Sequence, residues 1–101
     1  MSEPEQGTVP VGLFVVERRL RDAGDHQLAV AQAALTGAAA RFSARGDGVR
    51  YLSSIFLARQ GRLLSLFTAG SMEEVRAVNE AALVPFASIE PAIELPNPTQ
   101  P

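Results

Sequence analysis

Val49 to Phe67 reads VRYLSSIFLARQGRLLSLF. Two runs of β-forming residues meet at Arg59-Gln60-Gly61-Arg62, where the glycine can take the positive φ of a tight turn. The stretch predicts a β-hairpin. Serine alternates with large apolar residues in both runs, yet Leu52, Ile55, Phe56, Leu57, Leu63, Leu64, Leu66 and Phe67 supply apolar groups to both faces of the ribbon. Neither face is built for water.

Before the hairpin, Arg45-Gly46-Asp47-Gly48 supplies glycines for a helix end and a turn. Upstream of it, Leu28, Ala31, Leu35, Ala38 and Phe42 recur at helical spacing, with Asp25 available as N-cap, and predict a first helix ending near Ala44. Further back, Val11 to Val16 is a nearly continuous apolar run of strand length that closes with Glu17, Arg18 and Arg19. Continuous hydrophobicity places this strand in the centre of a sheet, covered on both sides.

After the hairpin, Ala69-Gly70-Ser71 breaks the strand. Ser71-Met72-Glu73-Glu74 then has the form of a capping box, and Met72, Val75, Val78 and Ala82 mark one face of a second helix, which Pro85 stops. Phe86 to Leu95 holds a last short strand, in which Pro91 lacks a ladder donor and points to a sheet edge or a bulge. Residues 1–10 and 96–101 are polar or proline-containing and carry no apolar period, so both are expected to be disordered tails around a single domain over residues 11–95.

The order is βαββαβ. Right-handed crossovers then place the first and third strands in the centre of a four-stranded antiparallel sheet with two helices on one face, an α+β fold of ferredoxin-like type. Because the strands are apolar on both sides while helices cover only one, the open face is expected to meet a second copy. The result would be a homodimer of barrel-like α/β form.

Composition narrows the function classes. The chain has 101 residues, a hydrophobic fraction of 47% and 20% charged residues, which suits one folded domain and excludes a disordered one. Cysteine is absent, which excludes disulfides, thiolate metal sites and cysteine nucleophiles. No apolar run approaches the roughly 18 to 20 residues of a membrane span, and the first ten residues lack the order of a signal peptide, so no membrane partner and a cytoplasmic location are expected. A net charge of -2 with scattered arginines gives no basic stripe for a phosphate backbone, so no nucleic-acid partner is expected either.

No catalytic or ligand motif matches the hairpin in strength. His26 is the only histidine and sits at a helix start, where solvation is its ordinary state. Asp22, Asp25 and His26 match no metal-ligand spacing, and Gly46-Asp47-Gly48 precedes a strand instead of opening a helix, so it is no phosphate cradle. Arg45-Gly46-Asp47 coincides with an adhesion tripeptide and is read as a loop.

Glu17 is the most informative single residue. A carboxylate at the end of a central strand either makes a rim salt bridge with an arginine or enters a pocket, where desolvation would raise its pKa and suit it as a general base. Arg18 alternates to the other face. A turn centred on Gln60-Gly61 would set Ser53 opposite Thr68, with Tyr51, Ile55, Leu64 and Leu66 on their face. Glu17, Tyr51, Ser53 and Thr68 are therefore the candidate ligand-binding residues, and Glu17 and Tyr51 are expected to share a pocket wall. No catalytic residue is assigned.

Most of Leu13 to Glu94 resembles a family of small, dimeric, ferredoxin-like bacterial proteins of unknown function, some of whose members are described as nickel-binding. The likeness rests on Phe14-Val15-Val16-Glu17-Arg18, on Val49-Arg50-Tyr51-Leu52 with Ser54 and Phe56, and on Gly61-Arg62 leading to Leu66-Phe67 and Ala69. Glu74-Val75-Arg76 with Asn79 and Pro85-Phe86 completes it. Many members carry histidine or arginine, cysteine and glutamate where this chain has Ser53, Ser65 and Thr68, and Gly-Leu-Pro where it has Leu83-Val84-Pro85. The resemblance implies nickel. The missing nitrogen and sulfur donors imply no cofactor and no metal ligand here.

The expected function is that of a small dimeric ligand-binding protein taking a small organic ligand. Two alternatives stand beside it. One is a cofactor-independent enzyme of monooxygenase, isomerase or cyclase type, acting on a small apolar substrate between sheet and helices; the other is a structural dimer serving a protein partner.

Overall fold

The computed structural model describes residues 11–99. Most of the two expected tails lies outside these residues. Within 96–99, Asn97 folds a local turn, its side-chain oxygen accepting from the amide and hydroxyl of Thr99.

β1 (Gly12–Arg19), α1 (Asp25–Ala44), β2 (Arg50–Leu57), β3 (Arg62–Ala69), α2 (Met72–Ala81) and β4 (Ser88–Ala92) follow the expected order. The strands form one antiparallel sheet in the order β2-β3-β1-β4, the ferredoxin-like arrangement, with the apolar runs of β1 and β3 at its centre. β4 is an edge strand, which tolerates the missing donor of Pro91.

Both helices pack on one face. Phe14, Val16 and Phe67 from the sheet meet Leu35 and Ala38 of α1 and Val75 and Val78 of α2 in one core. Each of these except Phe14 is fully buried, so the space between sheet and helices is filled by side chains. Alanine along α1 permits its close approach, while aromatic and branched side chains supply most of the area removed from water, at about 25 cal/mol per Å².

Local chemistry sets the element ends, with two shifts from expectation. Gly24, not Asp25, is the N-cap of α1, and its amide donates to the Gln27 side chain at 3.2 Å. At α2, Ser71 Oγ accepts from the Glu74 amide as a capping box requires, but Glu74 reaches one residue further back, to the amide of Gly70 at 2.9 Å.

The hairpin forms with a different register. Its loop is Ala58 to Gly61, so the ribbon centres between Arg59 and Gln60 and Ser53 pairs with Leu66, not Thr68. Gly61 has φ +64° and a Cβ there would lie 3.1 Å from the Arg21 Cα, so backbone conformation and space both demand glycine. Shifting the register by two residues preserves the faces, and Ser53, Ile55, Leu64, Leu66 and Thr68 share one side as expected. Tyr51 does not join them. Leu52 is an extra residue between the pairs Tyr51–Phe67 and Ser53–Leu66, and this bulge turns Tyr51 to the helix side.

Candidate functional site

The alternation of β1 divides its polar end between the two faces of the sheet. Glu17 lies on the open face. Its carboxylate takes a two-pronged contact from Arg62 of the neighbouring strand, from Nε at 2.9 Å and Nη2 at 3.1 Å, and Arg19 Nε stands 3.5 Å away. The Arg62 hydrogen bonds lower the Glu17 pKa from its ordinary value; desolvation opposes them, and the charges of Arg62 and then Arg19 add to the lowering. This is the rim salt bridge, and the desolvated base with a raised pKa is not what forms. A carboxylate held ionised by an arginine fork is a poor proton acceptor.

Tyr51 is on the helix side. Its ring packs against Phe67 with centroids 5.3 Å apart, and its hydroxyl is 2.5 Å from Ser54 Oγ, which is 2.8 Å from Ser65 Oγ. These hydroxyls satisfy one another under the helices, and Ser65 is fully buried. Glu17 and Tyr51 are thus separated by the sheet, and the shared wall expected for them does not form. Thr68 remains on the open face but pairs with Leu13, four register positions from the pair of Glu17 and Leu64.

The concavity of the open face lies beside Ser53. Leu13, Val15, Leu52, Ser53, Leu66, Ala92, Ile93 and Glu94 enclose about 380 Å³. Its walls are apolar, with Ser53 and Glu94 as the polar points. The apolar surface continues beyond it, since Leu52, Ile55 and Ile93 are 50%, 53% and 85% exposed. Among the described residues, no group of three or more histidine, cysteine, aspartate or glutamate side chains could hold a metal ion. None of their helices is long and apolar enough to cross a membrane.

Sequence reading placed Arg18 on the other side of β1 but missed its burial and its partners. Arg18 is fully buried against the end of α2, where Nη2 donates to Asn79 Oδ1 at 2.7 Å and Nε to the Val84 carbonyl at 3.2 Å. Asn79 Nδ2 donates in turn to the Val75 carbonyl. Phe86 lies against the guanidinium at 5.6 Å from its ring centroid. Burial drives the Arg18 pKa down to about 10, and Tyr51 opposes that shift. A signal was present: Asn79 stands in the apolar stripe of Met72, Val75 and Ala82, and a polar residue inside such a stripe needs a buried partner.

No family model and no curated protein matches the chain. The crystal structure of SCO4226 from Streptomyces coelicolor A3(2) is similar, with a TM-score of 0.67 and 20% identity over 84% of this chain and 99% of that one. At that identity the likeness shows the fold alone: the chain shares the ferredoxin-like architecture of SCO4226.

Proposed function

We propose that the chain is a small ligand-binding module that works as a homodimer in the cytoplasm, belongs with the ferredoxin-like family it resembles, and holds an uncharged apolar organic molecule against the open face of its sheet. The observation that carries this is the 380 Å³ concavity in a face that one copy of the chain leaves bare. Exposed apolar groups on a contiguous face favour association.

The face is self-complementary in charge, which supports a second copy as its cover. Arg19 and Arg62 flank Glu17 at the β1 C-terminal end and leave it one positive charge in excess, whereas Glu94 borders the concavity at the other end, with Glu90 of β4 paired to Val15. A two-fold axis through the face lays the basic end of one copy over the acidic edge of the other, and the apolar strip between them over itself. Each concavity is then closed over by the other copy into a chamber whose polar points from its own chain are Ser53 and Glu94.

Light scattering after size exclusion tests the assembly, and Nile red, a neutral apolar dye, tests the chamber. The expected result is a dimer at micromolar concentration that binds the dye saturably. Leu66→Arg, which places a charge in the strip, gives a folded monomer that does not bind it. A monomeric native chain, or dye binding unchanged in Leu66→Arg, overturns the proposal.

A further inference from the structure

We propose that residues 93–96, the arm that follows β4, clasp the second copy of the chain: Ile93 and Leu95 bury against its open face, and Glu94 pairs with its Arg19 and Arg62. The clasp rests on the homodimer proposed above and adds the segment that locks it.

The arm is apolar where nothing covers it. Ile93 and Leu95 are 85% and 87% exposed, and Val11, which precedes β1 at the same end of the sheet, is 63% exposed. Isolated exposed hydrophobics are ordinary; clustered at one end of a sheet, they form a patch. Ile93 and Glu94 also border the open-face concavity with Leu13, Leu52 and Leu66, so the arm stands on that face as a wall. Pro96 fixes its own φ and favours an extended Leu95, and Asn97 ends the arm in the turn that Thr99 closes. A stiff arm loses little conformational entropy on docking.

Charge identifies the occupant. Glu94 is exposed and, among the described residues, forms no ion pair. The opposite end of the open face holds Arg19 and Arg62 around the single carboxylate of Glu17, and the Arg19 side chain is 72% exposed. Within one copy these ends are too far apart to meet: Leu13, paired with Ala92, is separated from Arg19 by about 20 Å of strand. A two-fold axis across the strands carries each arm over the arginine end of the other copy. There Leu64 and Ile55 pair beside Arg62, with Ile55 53% exposed. Ile93 and Leu95 gain an apolar floor, and Glu94 gains the surplus cation.

The chain lacks cysteine, so single introduced thiols report the contact. Ser88, paired with Glu17, marks the arginine end of the face. Leu95→Cys and Ser88→Cys chains, mixed and treated with a short bifunctional maleimide, are expected to give a link between positions 95 and 88 in peptide mass spectrometry, while light scattering of the native chain gives the dimer. A native dimer whose mixed chains give no such link overturns the clasp and leaves the homodimer standing; a native monomer overturns both. Ile93→Ser combined with Leu95→Ser is expected to raise the dimer dissociation constant at least about tenfold, and Glu94→Arg about threefold at low salt. In the Leu66→Arg monomer the same substitutions are expected to leave the urea midpoint unchanged, because the arm is exposed within one copy. An unaltered dissociation constant, or a lowered midpoint in that monomer, overturns the proposal.

Discussion

Arg62 grips both carboxylate oxygens of Glu17 across the β1–β3 pair, at 2.9 and 3.1 Å. The carboxylate side chain is 15% exposed, so the pair closes one end of the open face while remaining in reach of water. Its electrostatic value is therefore moderate and sensitive to salt.

The pair sets a pH dependence. The folded-state pKa of Glu17 lies below its ordinary value of 4.5, so its contribution to stability is complete above that value and is lost as pH falls through the folded pKa. Urea midpoints of the native chain and Glu17→Gln are expected to differ at neutral pH and to converge once the native carboxylate is protonated. A difference that stays constant into acid would show that the variant acts through packing.

Leu83 gives a prediction with the opposite sign. A non-glycine residue in the left-handed region carries about 1 to 2 kcal/mol of strain, and glycine relieves it at the cost of a looser unfolded chain. Since Leu83 is 86% exposed, little burial is lost with its side chain. Leu83→Gly is expected to stabilise the chain by about 0.5 to 1 kcal/mol in urea unfolding. A destabilised variant would mean that the side chain makes contacts worth more than the strain.

The hydroxyl chain under the helices is expected to behave as a unit. Ser65→Ala removes the partner that Ser54 has on β3 and is expected to cost about 1 kcal/mol, because Ser65 is fully buried. Tyr51→Phe removes the other end. The two losses are expected to be non-additive by about 0.5 kcal/mol or more in a double-mutant cycle of unfolding free energies. Strict additivity would make the three hydroxyls independent.

Much of this architecture was legible because each strand and helix repeats its message. The apolar run of β1 pointed to a central position, the right-handed crossovers put β3 beside it, the α2 stripe and cap agreed with each other, and Pro91 pointed to an edge or a bulge. What escaped were single residues whose setting depends on distant partners. Leu52 is a β-former among β-formers, with no glycine, proline or asparagine to mark a bulge, yet its insertion moves Tyr51 to the other side of the sheet. Arg18 was assigned to the correct face by alternation, but arginine is almost never fully buried, and Asn79 lies 61 positions downstream. Glu17 could be placed at a strand end; which arginine answered it depended on the pairing of β1 with β3.

The same geometry argues against nickel. Ser53 and Thr68 lie on the open face but Ser65 points beneath the helices, so these three positions share no site within one chain, and none of them carries a nitrogen or sulfur donor. His26 is exposed at the start of α1, and Glu17 is already held by Arg62. A nickel ion would have to displace that arginine and then find imidazole or thiolate ligands that the described residues do not cluster. Calorimetry on tag-free protein is expected to give a dissociation constant no tighter than about millimolar, equivalent to about −4 kcal/mol. A stoichiometric micromolar site would overturn this. The sensitivity of that site to His26→Ala or Glu17→Gln would then show whether it draws on the helix start or on carboxylates brought together across two copies.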